Sequence, residues 1–190
     1  MMSLTTANLA ETVKKQYRFK LKSNIDSFSA LIGIQLLGIL LSLGGVASTG
    51  RSGMNMSIDV KYYSADLVII FTMLWSFVTA ITITTKPYRN HDFSFVTNRL
   101  SSSLSNILFL LTTSIMGSIT AILAGNLVRV LVFILFKQEL YHSHNWSQEL
   151  ILGIGITILY VFFVSSIGYL IGALAQVSKG FIILIPVYLR

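Results

Sequence analysis

The chain has no cysteine, which excludes disulfides and thiol chemistry and leaves the redox compartment unreadable. Charge is scarce as well: 11% of the 190 residues are charged, against 54% hydrophobic. Motifs that carry chemistry are also missing. There is no HExxH, no GxSxG, no pair of facing carboxylates in the apolar runs and no GxxxxGK[ST] phosphate loop. His142 and His144 lie two apart near Glu139 in a polar connection, too few ligands and too loose a frame for a metal. The expectation is a chain that is not an enzyme and takes no cofactor. The net charge of +7 is no nucleic-acid signature, because the basic residues flank long apolar runs.

Those runs decide the class. A bilayer core takes ~20 apolar residues per helix, and four stretches reach that length: about 27–49, 64–85, 106–128 and 150–175. In lipid each backbone donor and acceptor must be paired inside the protein, and the alternating pattern of a β-barrel is absent, so the runs are expected to be helices. The fold class is therefore all-α, a polytopic helical membrane protein. Apolar residues continue from Asn106 to Phe136, or ~46 Å at about 1.5 Å per residue. That exceeds a bilayer core, so Asn126 and Arg129 are expected to mark the outer boundary. Arg129, the one ionisable residue deep in a run, is expected to snorkel to headgroups. A further apolar run, 180–189, is too short to cross and reads as the start of a fifth span cut off at Arg190.

Residues 1–26 read as an N-terminal helix lying along the inner leaflet, drawn to anionic lipid by its basic residues. Leu9, Val13, Tyr17 and Leu21 form an apolar stripe, with Lys14, Arg18 and Lys22 beside it. Lys20 falls inside the apolar arc and spoils the pattern. The domain division is thus 1–26, interfacial, and 27–190, transmembrane. With the N-terminus inside, the inner segments hold nine Lys and Arg (14, 15, 18, 20, 22, 86, 89, 99, 179) and the outer segments four (51, 61, 129, 137). That asymmetry places the N-terminus in the cytoplasm. RSGMNMSIDVKYY, between the first two runs, reads as a short polar outer loop.

Small residues mark expected helix contacts. Thr113, Gly117, Ala121 and Gly125 recur every fourth residue on the third run, and Gly168 and Gly172 form a GxxxG on the fourth. Such residues let helix backbones approach closely where lipid removes the hydrophobic drive. The ladder of Gly117, Ala121 and Gly125 is expected to meet the fourth span or a second copy. Thr72, Ser76 and Thr79 share a face of the second run and suit a polar path, helix glue or bonds back to their own backbone.

The polar interruption from Lys86 to Asn106 is the longest between spans. Phe93, Val96, Leu100 and Leu104 form an apolar stripe at helical spacing, and Asp92 suits an N-cap. Two readings fit: a plain interfacial connector, or a short cytoplasmic helix that binds a partner and runs into the third span.

The arrangement resembles the permease subunit of ABC-2-type ABC transporters: a basic N-terminal interfacial helix, two spans, then a cytoplasmic coupling helix before the third. The local match is Phe95-Val96-Thr97-Asn98-Arg99, without the proline the family usually has after the Phe. The resemblance implies a six-span permease in the bacterial plasma membrane. It implies two partners, a separate cytoplasmic ABC ATPase subunit and a second permease subunit, identical or related. It further implies that Phe93, Phe95, Val96, Thr97, Arg99 and Leu100 form the ATPase-binding surface. The alternative is a non-transporting membrane protein, an immunity, sensory or assembly factor that binds a cytoplasmic partner.

Overall fold

Apolar runs of about twenty residues satisfy their backbone polar groups most simply as helices, and the chain does so. The computed structural model describes residues 9–45, 47–53, 56–62, 64–85, 99–136 and 146–177. In order the elements are α1 (Leu9–Ser23), α2 (Ile25–Leu43), β1 (Ala47–Gly53), β2 (Met56–Tyr62), α3 (Asp66–Thr84), α4 (Arg99–Phe136) and α5 (Trp146–Val177). Helices α2 to α5 are each long and apolar enough to cross a membrane.

Three boundaries differ from the sequence reading. The first span stops at Leu43 rather than near residue 49. Gly44 donates its N–H to Leu41 O at 3.1 Å, and Gly45 has φ 89°, a conformation L side chains rarely adopt. The segment beyond is not an irregular loop but an antiparallel hairpin, with Ala47 opposite Tyr62 and Gly53 opposite Met56. Ile58, Val60 and Tyr62 alternate there, which suits a strand. The third span is not confined to 106–128: α4 is one continuous helix of 38 residues, ~57 Å long. No proline or glycine pair interrupts it between Asn126 and Phe136, so the helix continues past Arg129.

Helix α3 is the centre of the bundle and packs against α2, α4 and α5. It buries Val68, Thr72, Trp75, Ser76, Thr79, Ala80, Ile83 and Thr84. Two apolar clusters lie along it. Toward the hairpin, Val68 packs with Ile39, Ala121, Val128 and Val132. At the other end, Ala80 and Ile83 pack with Phe109 and Leu110, and Tyr17, Leu21, Phe162 and Tyr169 close over them. Helices α2 and α3 run antiparallel, since Gly38 meets Val68 while Trp75 Nε1 donates to Ser27 O at 2.8 Å. Large apolar side chains such as Leu36, Leu74, Leu123 and Phe163 point outward, as they do where the surroundings are lipid.

Candidate functional site

A buried polar cluster lies at the α1 end of the bundle, where α1 crosses the beginning of α4. The contact face of α1 includes most of the apolar stripe and extends past it to polar residues. Val13, Gln16, Lys20 and Asn24 are buried, at spacings of three, four and four. Lys20 sits at the centre of this row and is 7% exposed. Its ammonium donates to Ser105 Oγ at 2.8 Å and to Asn106 Oδ1. Asn106 in turn donates through Nδ2 to the Tyr169 hydroxyl on α5, at 3.2 Å. Tyr17 and Thr112 share a hydroxyl hydrogen bond of 2.9 Å. A single lysine thus joins α1 to α4, and through Asn106 to α5.

The same lysine helps to end α1. Asn24 bonds to Lys20 O twice, through its backbone N–H at 3.0 Å and its side-chain Nδ2 at 2.9 Å. These bonds close the last turn before α2 begins at Ile25. Asn24 Oδ1 and both polar atoms of the Gln16 amide are buried without a partner. An unmet buried polar atom costs ~1–3 kcal/mol. The seam is polar by design of its residues, because α4 opens with RLSSSLSN.

The stripe of Val13, Tyr17 and Leu21 is spent against this protein surface, not held free for lipid. Leu9, the stripe's fourth member, is exposed. Outward-facing Lys14, Lys15, Arg18 and Lys22 form the opposite side of α1. Lys15 pairs with Glu11 at 2.9 Å and holds that carboxyl below its ordinary range.

Of the residues expected to bind an ATPase, Phe93, Phe95, Val96 and Thr97 lie outside the described residues, as do Asp92 and the run 180–189. Arg99 opens α4, and Leu100 in its first turn is 54% exposed. Ser101 and Ser105 on the same turns are buried beside α1. The first seven residues of α4, 99–105, therefore run ~10 Å up to the level of Asn106 before the apolar part begins.

The small residues meet neighbours, and for the ladder the neighbour is the second span. A Cβ on Gly117 would lie 3.3 Å from Thr72 Cγ2 and 3.4 Å from Trp75, and one on Gly125 would lie 3.1 Å from Ala65 Cβ. Ala121 is buried in the cluster around Val68. The expected partner, the fourth span or a second copy, is thus replaced by α3, because α4 lies antiparallel against it. Spacing reports closeness without saying to what. On α5, Gly168 would carry a Cβ 2.7 Å from Phe77 O, and one on Gly172 would overlap Thr84 Oγ1. This is the tightest helix approach among the described glycines.

Thr72, Ser76 and Thr79 are closed inside the bundle. Thr72 donates to Val68 O at 2.8 Å, while Ser114 and Ser165 likewise bond back to Leu110 O and Phe162 O. Gln35 on α2 ties three helices together: its Nε2 lies 2.9 Å from Thr120 Oγ1, 3.2 Å from Thr72 Oγ1 and 3.4 Å from Gly117 O. Sequence alone marks Lys20 only as an interruption of the apolar arc and gives Gln35 no role. The available signal was that Gln35 is the only amide in its run and Lys20 the only cation in an apolar arc. Among the described residues no group of three or more His, Asp or Glu could hold a metal. Comparison of the chain with protein-family models, with curated proteins and with solved structures finds no match.

Proposed function

We propose that this chain is the transmembrane permease subunit of an ATP-driven transporter of the ABC-2 type, multi-pass in a bacterial plasma membrane with its N-terminus cytoplasmic. The observation that carries the reading is the seam between α1 and α4. The polar turns that follow residues 86–98 are bonded through Lys20 to α1 and through Asn106 to α5. A force applied to 86–106 would therefore reach two other helices directly. In this reading a separate ABC ATPase docks on Phe93, Phe95, Val96, Thr97, Arg99 and Leu100, and its closure moves the start of α4.

The hydroxyls of Thr72, Ser76 and Thr79 on α3 are buried and line no open polar face among the described residues. The translocation path is accordingly assigned to the surface between two permease subunits. That same closure favours the alternative, a non-transporting membrane protein whose cytoplasmic face binds another protein, if no second subunit exists. Copurification from host membranes tests the choice. A co-eluting protein with a GxxxxGK[ST] phosphate loop supports the transporter, and its reproducible absence from intact complexes contradicts it.

A further inference from the structure

Lys14, Arg18 and Lys22 follow one another at four-residue spacing on the outward side of α1, so they form one row along the helix. Among the described residues none of the three makes an ion pair: Glu11 is taken by Lys15, and exposed Asp26, four residues past Lys22, is not paired with it. The row's depth follows from the opposite face. Lys20 reaches Ser105 and Asn106, and Tyr17 reaches Thr112, so α1 lies across α4 between positions 105 and 112. From Thr112 to Phe136, α4 has ~36 Å left, close to what a bilayer core of ~30 Å requires. Helix α2 starts at Ile25, directly beyond α1, and itself spans ~28 Å. Helix α1 therefore lies at the edge of the apolar slab rather than out in the solvent. Exposed Leu9, Phe19 and Ile25 flank the cations, a mixture suited to the zone between lipid tails and water.

We infer that Lys14, Arg18 and Lys22 form a docking row for the phosphate groups of anionic phospholipids in the adjoining leaflet. An acidic protein is the less fitting occupant, because Phe19 and Ile25 set the row against lipid tails. Val13, Tyr17 and Leu21 of the apolar stripe are packed on the bundle, which leaves little apolar surface of α1 to insert. The attraction must be electrostatic, and salt must weaken it. The inference requires a membrane but not a transport activity.

The test uses the full chain reconstituted in phosphatidylcholine vesicles with spin-labelled phosphatidylglycerol or spin-labelled phosphatidylcholine as probe. The parent is expected to hold the phosphatidylglycerol probe about fivefold more strongly at low salt. One molar salt should reduce that ratio toward one, and so should Lys14→Gln, Arg18→Gln and Lys22→Gln combined. Equal retention of both probes by the parent overturns the inference. So does a preference undiminished by salt, which is measured on the parent and needs no variant to fold. A parent without lipid preference that loses an acidic protein in the triple variant would assign the row to that protein instead.

Discussion

Lys20 Nζ donates a 2.8 Å hydrogen bond to Ser105 Oγ across 85 positions of sequence, joining the first helix to the first turns of the fourth. A buried ammonium is costly unless it is hydrogen-bonded, so this contact is strongly directional. It fixes which face of α1 turns inward. Hydrogen bonds to charged groups contribute about 1.5–3 kcal/mol each, and they act together with the packing of Val13, Tyr17 and Leu21 on the bundle.

Lys20→Met should therefore loosen α1 while leaving the spans folded. Amide hydrogen exchange along α1 is the reporter: Lys20→Met should speed exchange over Leu9–Ser23 by about tenfold or more, the loss of about 1.5–3 kcal/mol of hydrogen bonding to a charged group. An unchanged rate would mean that Lys20 does not hold the seam.

Four helices long and apolar enough to cross a membrane were legible from composition and length, because hydrophobicity alone marks them. Lys20 was not, because a helical wheel scores one helix and the reason for its burial lies in RLSSSLSN, 80 residues away. Gln35 was missed for the same reason: its acceptors belong to α3 and α4. The ladder of Gly117, Ala121 and Gly125 was visible, yet its partner was not, since spacing encodes distance of approach and not topology. The hairpin was hidden by a glycine- and serine-rich first strand, although Ile58, Val60 and Tyr62 carried its period.

Glycine substitutions separate close packing from mere spacing. Gly168→Ala and Gly172→Ala place a methyl against Phe77 O and Thr84 Oγ1, and should each cost about 1–3 kcal/mol in detergent melts. Gly33→Ala and Gly155→Ala meet nothing within 4 Å, and should be neutral or raise stability by up to about 1 kcal/mol. Equal melting of all four variants would place the α3–α5 contact wrongly.

Gln35→Leu removes a donor shared by Thr72, Thr120 and Gly117 O. Interhelical hydrogen bonds in membranes average about 0.6 kcal/mol and reach about 1–2 kcal/mol. The variant should lower stability by that range. Thr72→Val in the same background should add less than it costs alone, because the two share a bond. Full additivity would show that Gln35 and Thr72 do not interact.

Orientation is checked with single cysteines at exposed sites on opposite ends. Ser103 lies in the first turns of α4 and Gln148 in the first turn of α5. An impermeant maleimide should label Gln148→Cys in intact cells, and Ser103→Cys only after lysis. The reverse pattern would invert the proposed topology and remove 86–106 from the cytoplasm.

The central claim is that residues 86–106 couple the membrane helices to an ATPase, and the most direct measurement is ATP turnover by the reconstituted complex with Val96→Ala combined with Arg99→Ala. Truncating an interface anchor costs ~2 kcal/mol or more, and stripping one side of a desolvated charge pair ~2–5 kcal/mol. ATPase binding is expected to fall at least about thirtyfold, with membrane insertion unaffected and with turnover no longer responding to the permease. Unchanged binding together with unchanged turnover would contradict the coupling assignment and leave the non-transporting reading in its place.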